Sequence, residues 1–185
     1  PPKATQIADL PKPPPLPGHL KPLPAATTAP AEPVDPHGRV EEANGAARVQ
    51  PTRAGYINAM QIYPFSEGAL YQVYAAPGQI TDVALAPSEQ LVGSGPVAAG
   101  DTVRWVIGDT ESGTGPAKRV HILVKPTRAD LVTNLIINTD RRTYHLELRS
   151  TEKTYMASVS WAYAQDQLIA LRLQNAAADA AASVA

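Results

Sequence analysis

Between Gly55 and Tyr163 the chain alternates short runs of β-branched and aromatic residues with turns built from Pro, Gly and Asp, and every aromatic side chain falls inside that interval. Runs of this length and alternation form half-buried strands, which bury their apolar faces by packing sheet against sheet. The expected fold is therefore all-β, an antiparallel β-sandwich over residues 54–164, of roughly 110 residues. A domain of that size buries enough apolar surface to stand without disulfides or metal.

The strands follow from local pattern. Tyr56 to Tyr63 has strand composition and is stopped by Pro64. Leu70–Tyr74 and Ile80–Leu85 flank Ala76-Pro77-Gly78 and are expected to form an antiparallel pair. A short piece at Leu91-Val92 precedes Thr102–Ile107, in which Val103, Trp105 and Ile107 share one face by the two-residue period. Gly108 to Lys118 is a polar loop, and Arg119–Lys125 then alternates with Val120, Ile122 and Val124 inward. Thr133–Thr139 and Thr143–Arg149 form a hairpin about Asp140-Arg141-Arg142, with Tyr144, Leu146 and Leu148 facing the core. Met156–Tyr163 is the last strand.

The flanks differ. Residues 1–53 are a proline-rich extension and linker: Pro1 to Pro36 holds twelve of the nineteen prolines, including Pro11-Lys12-Pro13-Pro14-Pro15-Leu16-Pro17 and Lys21-Pro22-Leu23-Pro24. Proline fixes φ and removes a donor, so this stretch is expected to populate polyproline II and irregular conformers as a disordered extension, with a spacer or a docking strand for a partner groove as the functional alternatives. His37 to Gln50 reads as linker, transiently helical around Arg39 to Ala47. Residues 165–185 switch to helix formers, with apolar side chains ending at Leu173 and an Ala-rich tail that needs a covering partner to resist fraying.

Net charge is −1 and cysteine is absent. No broad positive field exists to attract polyanions, so stable direct nucleic-acid binding is not expected, and thiol chemistry is excluded. No apolar run approaches the roughly 20 residues of a spanning helix. A start at Pro1 fits a trimmed chain or removal of an export signal.

Catalytic motifs fail on inspection. Gly108 to Gly115 resembles a phosphate loop, but Thr114 stands where the lysine must be, and Asp109 and Glu111 repel phosphate. Gly93-Ser94-Gly95 lacks the spacing of a nucleophile elbow. His121 and His145 lie on neighbouring predicted strands and could offer half of a metal site with carboxylates as the only further ligands, but the expected reading is solvent-facing strand histidines. The basic residues Lys118-Arg119, Lys125, Arg128 and Arg141-Arg142 read as solvated loop charges. No residue is assigned a catalytic, cofactor-binding or metal-ligating role, no cofactor is expected, and the chain is not expected to be an enzyme.

Six segments in order carry a family resemblance: Tyr63–Gly68, Val73–Val83, Gly100–Trp105, His121–Pro126, Asn134–Tyr144 and Ser160-Trp161. They resemble the TrbG/CagX family of type IV secretion outer-membrane core-complex subunits, over about Tyr56 to Leu171. The resemblance implies a periplasmic subunit of a Gram-negative cell, associated with the outer-membrane core complex. Copies of it would build a ring channel for DNA and protein transfer, together with a TrbI-type membrane-anchored subunit and a small lipoprotein. It also implies that this chain is the first of two β domains, with the helix leading toward a C-terminal domain that makes most of the lipoprotein contact. The alternative expectation is a periplasmic peptide- or glycan-binding module in which Tyr71, Tyr74 or Trp105 lines a groove.

Overall fold

The computed structural model describes residues 29–32 and 35–184, so the polyproline reading of the first stretch falls outside the described residues. The chain divides into two units, Pro1–Arg39 and Val40–Ala185. Helix α1 (Pro36–Ala47) is followed by β1 (Arg48–Val49), β2 (Tyr56–Ile57), β3 (Met60–Pro64), β4 (Leu70–Ala75), β5 (Thr81–Ala84), β6 (Val97–Ala99), β7 (Trp105–Ser112), β8 (Arg119–Pro126), β9 (Val132–Asn138), β10 (Thr143–Ser150), β11 (Ser158–Ala162) and helix α2 (Ala164–Val184).

The strands make two sheets, in the orders β1-β4-β10-β9-β6 and β2-β3-β11-β5-β8-β7. Both contribute to one core, with Tyr71, Val73, Leu135, Ile137, Tyr144, Leu146 and Leu148 from the first and Tyr63, Val83, Trp105, Val120, Ile122, Val124, Val159 and Trp161 from the second. The all-β expectation holds. The pairing is mixed rather than antiparallel, because β4 runs parallel to β1 and β10, and β11 runs parallel to β3 and β5.

The alternation of β8 and β10 is as the sequence predicts: Val120, Ile122, Val124, Tyr144, Leu146 and Leu148 are all buried. The β9–β10 hairpin forms, with Thr143 opposite Asn138. Elsewhere the structure corrects the sequence reading. Tyr56 to Tyr63 is not one strand, since Asn58 turns the chain at φ 53 and folds β2 back on β3. β4 and β5 do not pair with each other; Pro77 and Gly78, at φ 79, carry the chain from one sheet to the other. Arg48-Val49, read as linker, adds a parallel edge to β4.

The strand around Trp105 is also displaced. The Asp101 carboxylate accepts the backbone N–H groups of Val103 and Arg104 and pairs with the Arg104 side chain at 2.6 Å. That side-chain turn delays the strand and leaves Val103 87% exposed while Trp105 is 2% exposed. The strand instead runs on through Gly108–Ser112, the segment read as loop, because β8 pairs with it residue by residue from Trp105↔Pro126 to Ser112↔Arg119.

A candidate assembly interface

Three places outside the plain core combine polar chemistry with defined geometry. At the tip of the β9–β10 hairpin lies Glu89, a carboxylate with 0% exposure. It is held in a turn in which its N–H donates to the Ala86 carbonyl and Ser88 adopts φ 63. Its oxygens accept from the Ala86 N–H at 3.1 Å, from the Thr139 hydroxyl, and from the Tyr144 hydroxyl at 2.9 Å, and Arg142 Nε lies 3.3 Å away. A buried charge survives only when paired and hydrogen-bonded, and Glu89 has both kinds of partner.

Arg142 links this carboxylate to helix α2. Its guanidinium sits 3.9 Å from the ring centroid of Tyr163 and 5.1 Å from that of Phe65, and it donates to Asp166 in the first turn of α2 at 2.6 Å. Partial burial pulls the guanidinium pKa down, but the Asp166 hydrogen bond and the Glu89 charge outweigh it and leave the group above its ordinary value. Burial first, then the neighbouring Tyr163 and Glu89, raise the Tyr144 hydroxyl well above its usual range; burial pushes Tyr163 up to about 12. Arg141 is tied down as well, donating to the Pro87 carbonyl and to Ser88 Oγ at 2.8 Å. Arg142 is thus a structural tie rather than the solvated loop charge that the sequence suggested, whereas Arg141 stays exposed as expected. Helix α2 itself has no buried residue, and Leu168, Ile169, Leu171 and Leu173 are exposed.

The second place is on the solvent side of the β5-β8-β7 ladder. His121 does not meet His145, which lies on β10 in the other sheet. Instead His121 Nδ1 is 2.8 Å from Asp82 Oδ1 and its Nε2 is 2.6 Å from Ser112 Oγ. If Nδ1–H donates to the carboxylate, Nε2 is left to accept the serine proton, the order of groups found in a hydrolase triad. Such a triad also needs a substrate cavity and oxyanion donors. Ser112 is exposed at the end of β7, and none of the three residues lines the groove described next. The arrangement cross-braces three strands. Sequence reasoning missed it because Asp82 and His121 are 39 residues apart and only the β5–β8 register brings them together.

The third is a 460 Å³ groove where β6, the last strand of one sheet, approaches β7, the last strand of the other. Leu91, Pro96, Val97, Trp105, Ile107 and Asp109 line it. Both strands have one unpaired edge, whose backbone groups offer hydrogen bonds to another chain. Of the aromatics proposed for a ligand groove, Tyr71 is buried in the core and Tyr74 donates to Gln50 Oε1, so only Trp105 borders this space. Among the described residues no group of three His, Cys, Asp or Glu side chains is placed to hold a metal ion, and no helix is long and apolar enough to cross a membrane.

Comparison with known proteins defines the class. The family model described as CagX, conjugal transfer protein, matches residues 58–184, from the turn of the first hairpin to the end of α2. This chain belongs to the CagX family of conjugal transfer proteins. It is 37% identical over 94 residues to a probable conjugal transfer protein TrbG of Sinorhizobium fredii (strain NBRC 101917 / NGR234), a match covering 51% of this chain and 34% of that protein. The match thus spans about a third of its relative's length. Among solved structures, domains 4 and 5 of the S-layer protein SbsC align with a TM-score of 0.31 and 14% identity, covering 46% of this chain and 50% of that one.

Proposed function

We propose that the chain is a structural subunit of a type IV secretion or conjugation apparatus, acting in the periplasm as part of the outer-membrane core complex. In this reading copies of the β domain stand side by side in a ring channel for DNA and protein. The TrbI-type subunit contacts its loops and edges, and the small lipoprotein binds mainly through a C-terminal domain beyond these residues. Family membership supports the apparatus, and one structural observation supports the mode of action: the two sheets end in β6 and β7 with their outer edges unpaired and a groove of mixed polar and apolar lining between them. Edges of this kind recruit strands or extended segments from other chains. The cluster at Glu89, Arg142 and Asp166 fits the same role, because it fixes the base of a helix that has exposed apolar side chains to offer to a neighbour.

The test is electron microscopy of the full-length protein co-expressed with its operon neighbours. Rings containing this domain are the expected result. A protein that purifies as a monomer, with no neighbour retained and no ring formed, would contradict the proposal.

A further inference from the structure

The outer strands of the two sheets are not alike. β1 and β2 have two residues each and β6 has three, whereas β7 has eight, Trp105 to Ser112. Short edges give little to pair with, and long ones are usually blunted by proline, lysine or a bulge. β7 has none of these. It contains no proline or lysine, and its register with β8 runs from Trp105↔Pro126 to Ser112↔Arg119 without a skipped residue.

The register also determines which backbone groups are free. The Thr127 N–H donates to the Arg104 carbonyl, and Trp105 lies opposite Pro126, which has no N–H to give. Hydrogen-bonded and non-bonded pairs alternate along an antiparallel ladder. Val106, Gly108, Thr110 and Ser112 therefore bond to β8, while the N–H and C=O groups of Trp105, Ile107, Asp109 and Glu111 point away from it. The other side of β8 agrees: the Leu85 N–H donates to the Val120 carbonyl, so Val120, Ile122 and Val124 bond toward β5 and the residues between them toward β7.

The side chains of those four residues share one face of β7 by the two-residue period. Trp105, Ile107 and Asp109 border the groove toward β6, and Glu111 follows, so the face changes from apolar to acidic along the strand. Glu111 pairs with Lys118 at 2.7 Å, whereas Asp109 makes no ion pair among the described residues. A strand laid beside β7 matches it when its side chains on this face are apolar next to Trp105 and Ile107 and basic next to Asp109 and Glu111. The edges of a second copy do not supply such a strand. Its β7 would bring two more carboxylates to the same face, and on its β2 the Tyr56 N–H is already given to the Arg53 carbonyl.

We propose that the outer edge of β7 takes a strand of about seven residues from a different polypeptide. On the face shared with Trp105 that strand has two apolar side chains at one end and two lysines or arginines at the other. It bonds through its main chain to Ile107, Asp109 and Glu111 and lengthens the second sheet by one strand. The inference rests on the contact role proposed above and names the partner's chemistry.

The test uses the whole 185-residue chain, ¹⁵N-labelled, with capped synthetic peptides as probes. Lys-Thr-Lys-Thr-Val-Thr-Val matches β7 when antiparallel, and the reversed sequence matches it when parallel. In the free chain, amide exchange is expected to be fast at Ile107, Asp109 and Glu111 and slow at Val106, Gly108 and Thr110. Saturation with one of the two probes is expected to slow the first three and leave the second three unchanged. The same probe with both lysines replaced by glutamate is expected to bind about tenfold more weakly. Asp109→Pro removes an outward N–H and spares the β8 ladder, so the chain is expected to stay folded and to bind at least about tenfold more weakly. The proposal is overturned if neither probe binds by about 1 mM, the weak end of specific recognition, or if the bound probe protects none of the three outward amides. Equal binding of the lysine and glutamate probes, or undiminished binding by a folded Asp109→Pro chain, also overturns it. Each of these results leaves ring formation, read by microscopy, to stand or fall separately.

Discussion

The tip of the β9–β10 hairpin and the gap between β6 and β7 both sit at the margin of the core, and both contain a buried polar group, yet they are opposites. At the hairpin tip, Glu89 is met by Thr139, Tyr144, Arg142 and the Ala86 N–H. In the gap, Trp105 Nε1 has no hydrogen-bond partner among the described residues. A saturated polar cluster of this kind fixes one geometry and gains nothing from a further partner, whereas an unpaired buried donor leaves a deficit that a ligand can relieve. The contrast separates a cluster that holds the domain together from the margin at which the proposed function places its contacts.

The comparison is tested most severely by removing the cation from the saturated side. Arg142→Leu leaves the Glu89 carboxylate buried without its counter-charge, and urea unfolding is expected to show a loss of about 3–5 kcal/mol. In the double variant with Glu89→Gln the two losses are expected to be strongly non-additive, because the second change removes the stranded charge. A loss from Arg142→Leu below about 1 kcal/mol would show the cluster to be ordinary surface.

Tyr144→Phe is the next largest. It deletes the hydroxyl that donates to Glu89 and meets Tyr163 at 2.8 Å, and the expected loss is about 1–3 kcal/mol by the same assay. The pH dependence comes next. Tyr144 and Tyr163 have folded-state pKa values above the ordinary value of 10.0, Tyr163 at about 12. The folded protein therefore holds these protons more tightly than the unfolded chain. Their contribution is fully present below pH 10 and is lost as pH rises through the folded values, at up to about 1.4 kcal/mol per pH unit for each tyrosine. Chemical denaturation between pH 8 and 12 checks the sign, and stability that rises above pH 10 would contradict it.

The smallest effect falls on α2. Asp166 is 43% exposed, so Asp166→Asn is expected to change global stability by at most about 1 kcal/mol. It removes the tie between Arg142 and the first turn of the helix, so amide exchange there is expected to speed up while β10 exchange stays unchanged.

What could be read from the sequence divides along the same physical line. Val120, Ile122 and Val124, and likewise Tyr144, Leu146 and Leu148, announce their strands because each has one buried and one wetter face and so alternates. The second half of β7 gives no such signal, since Gly108 to Ser112 is exposed on both faces and is a strand only because β8 pairs with it. Pairing partners were equally hidden. A proline-glycine turn between two strand-like runs reads as a hairpin, but Pro77-Gly78 switches sheets, which depends on where β10 and β8 arrive from later in the chain. The burial of Arg142 and the meeting of Asp82, His121 and Ser112 are likewise products of register across distant segments.

The central claim is that the domain works by contact between chains rather than by chemistry at a site. Asp82, His121 and Ser112 provide its sharpest test, since they are the one described group with the hydrogen-bond order of a catalytic device. Conjugal transfer frequency should be measured from donor cells whose full-length protein bears Ser112→Ala, against a strain lacking the protein. The account predicts transfer indistinguishable from the parent. A fall of about 10³-fold or more, the scale on which loss of a catalytic nucleophile registers, with the protein folded and assembled at normal levels, would contradict it.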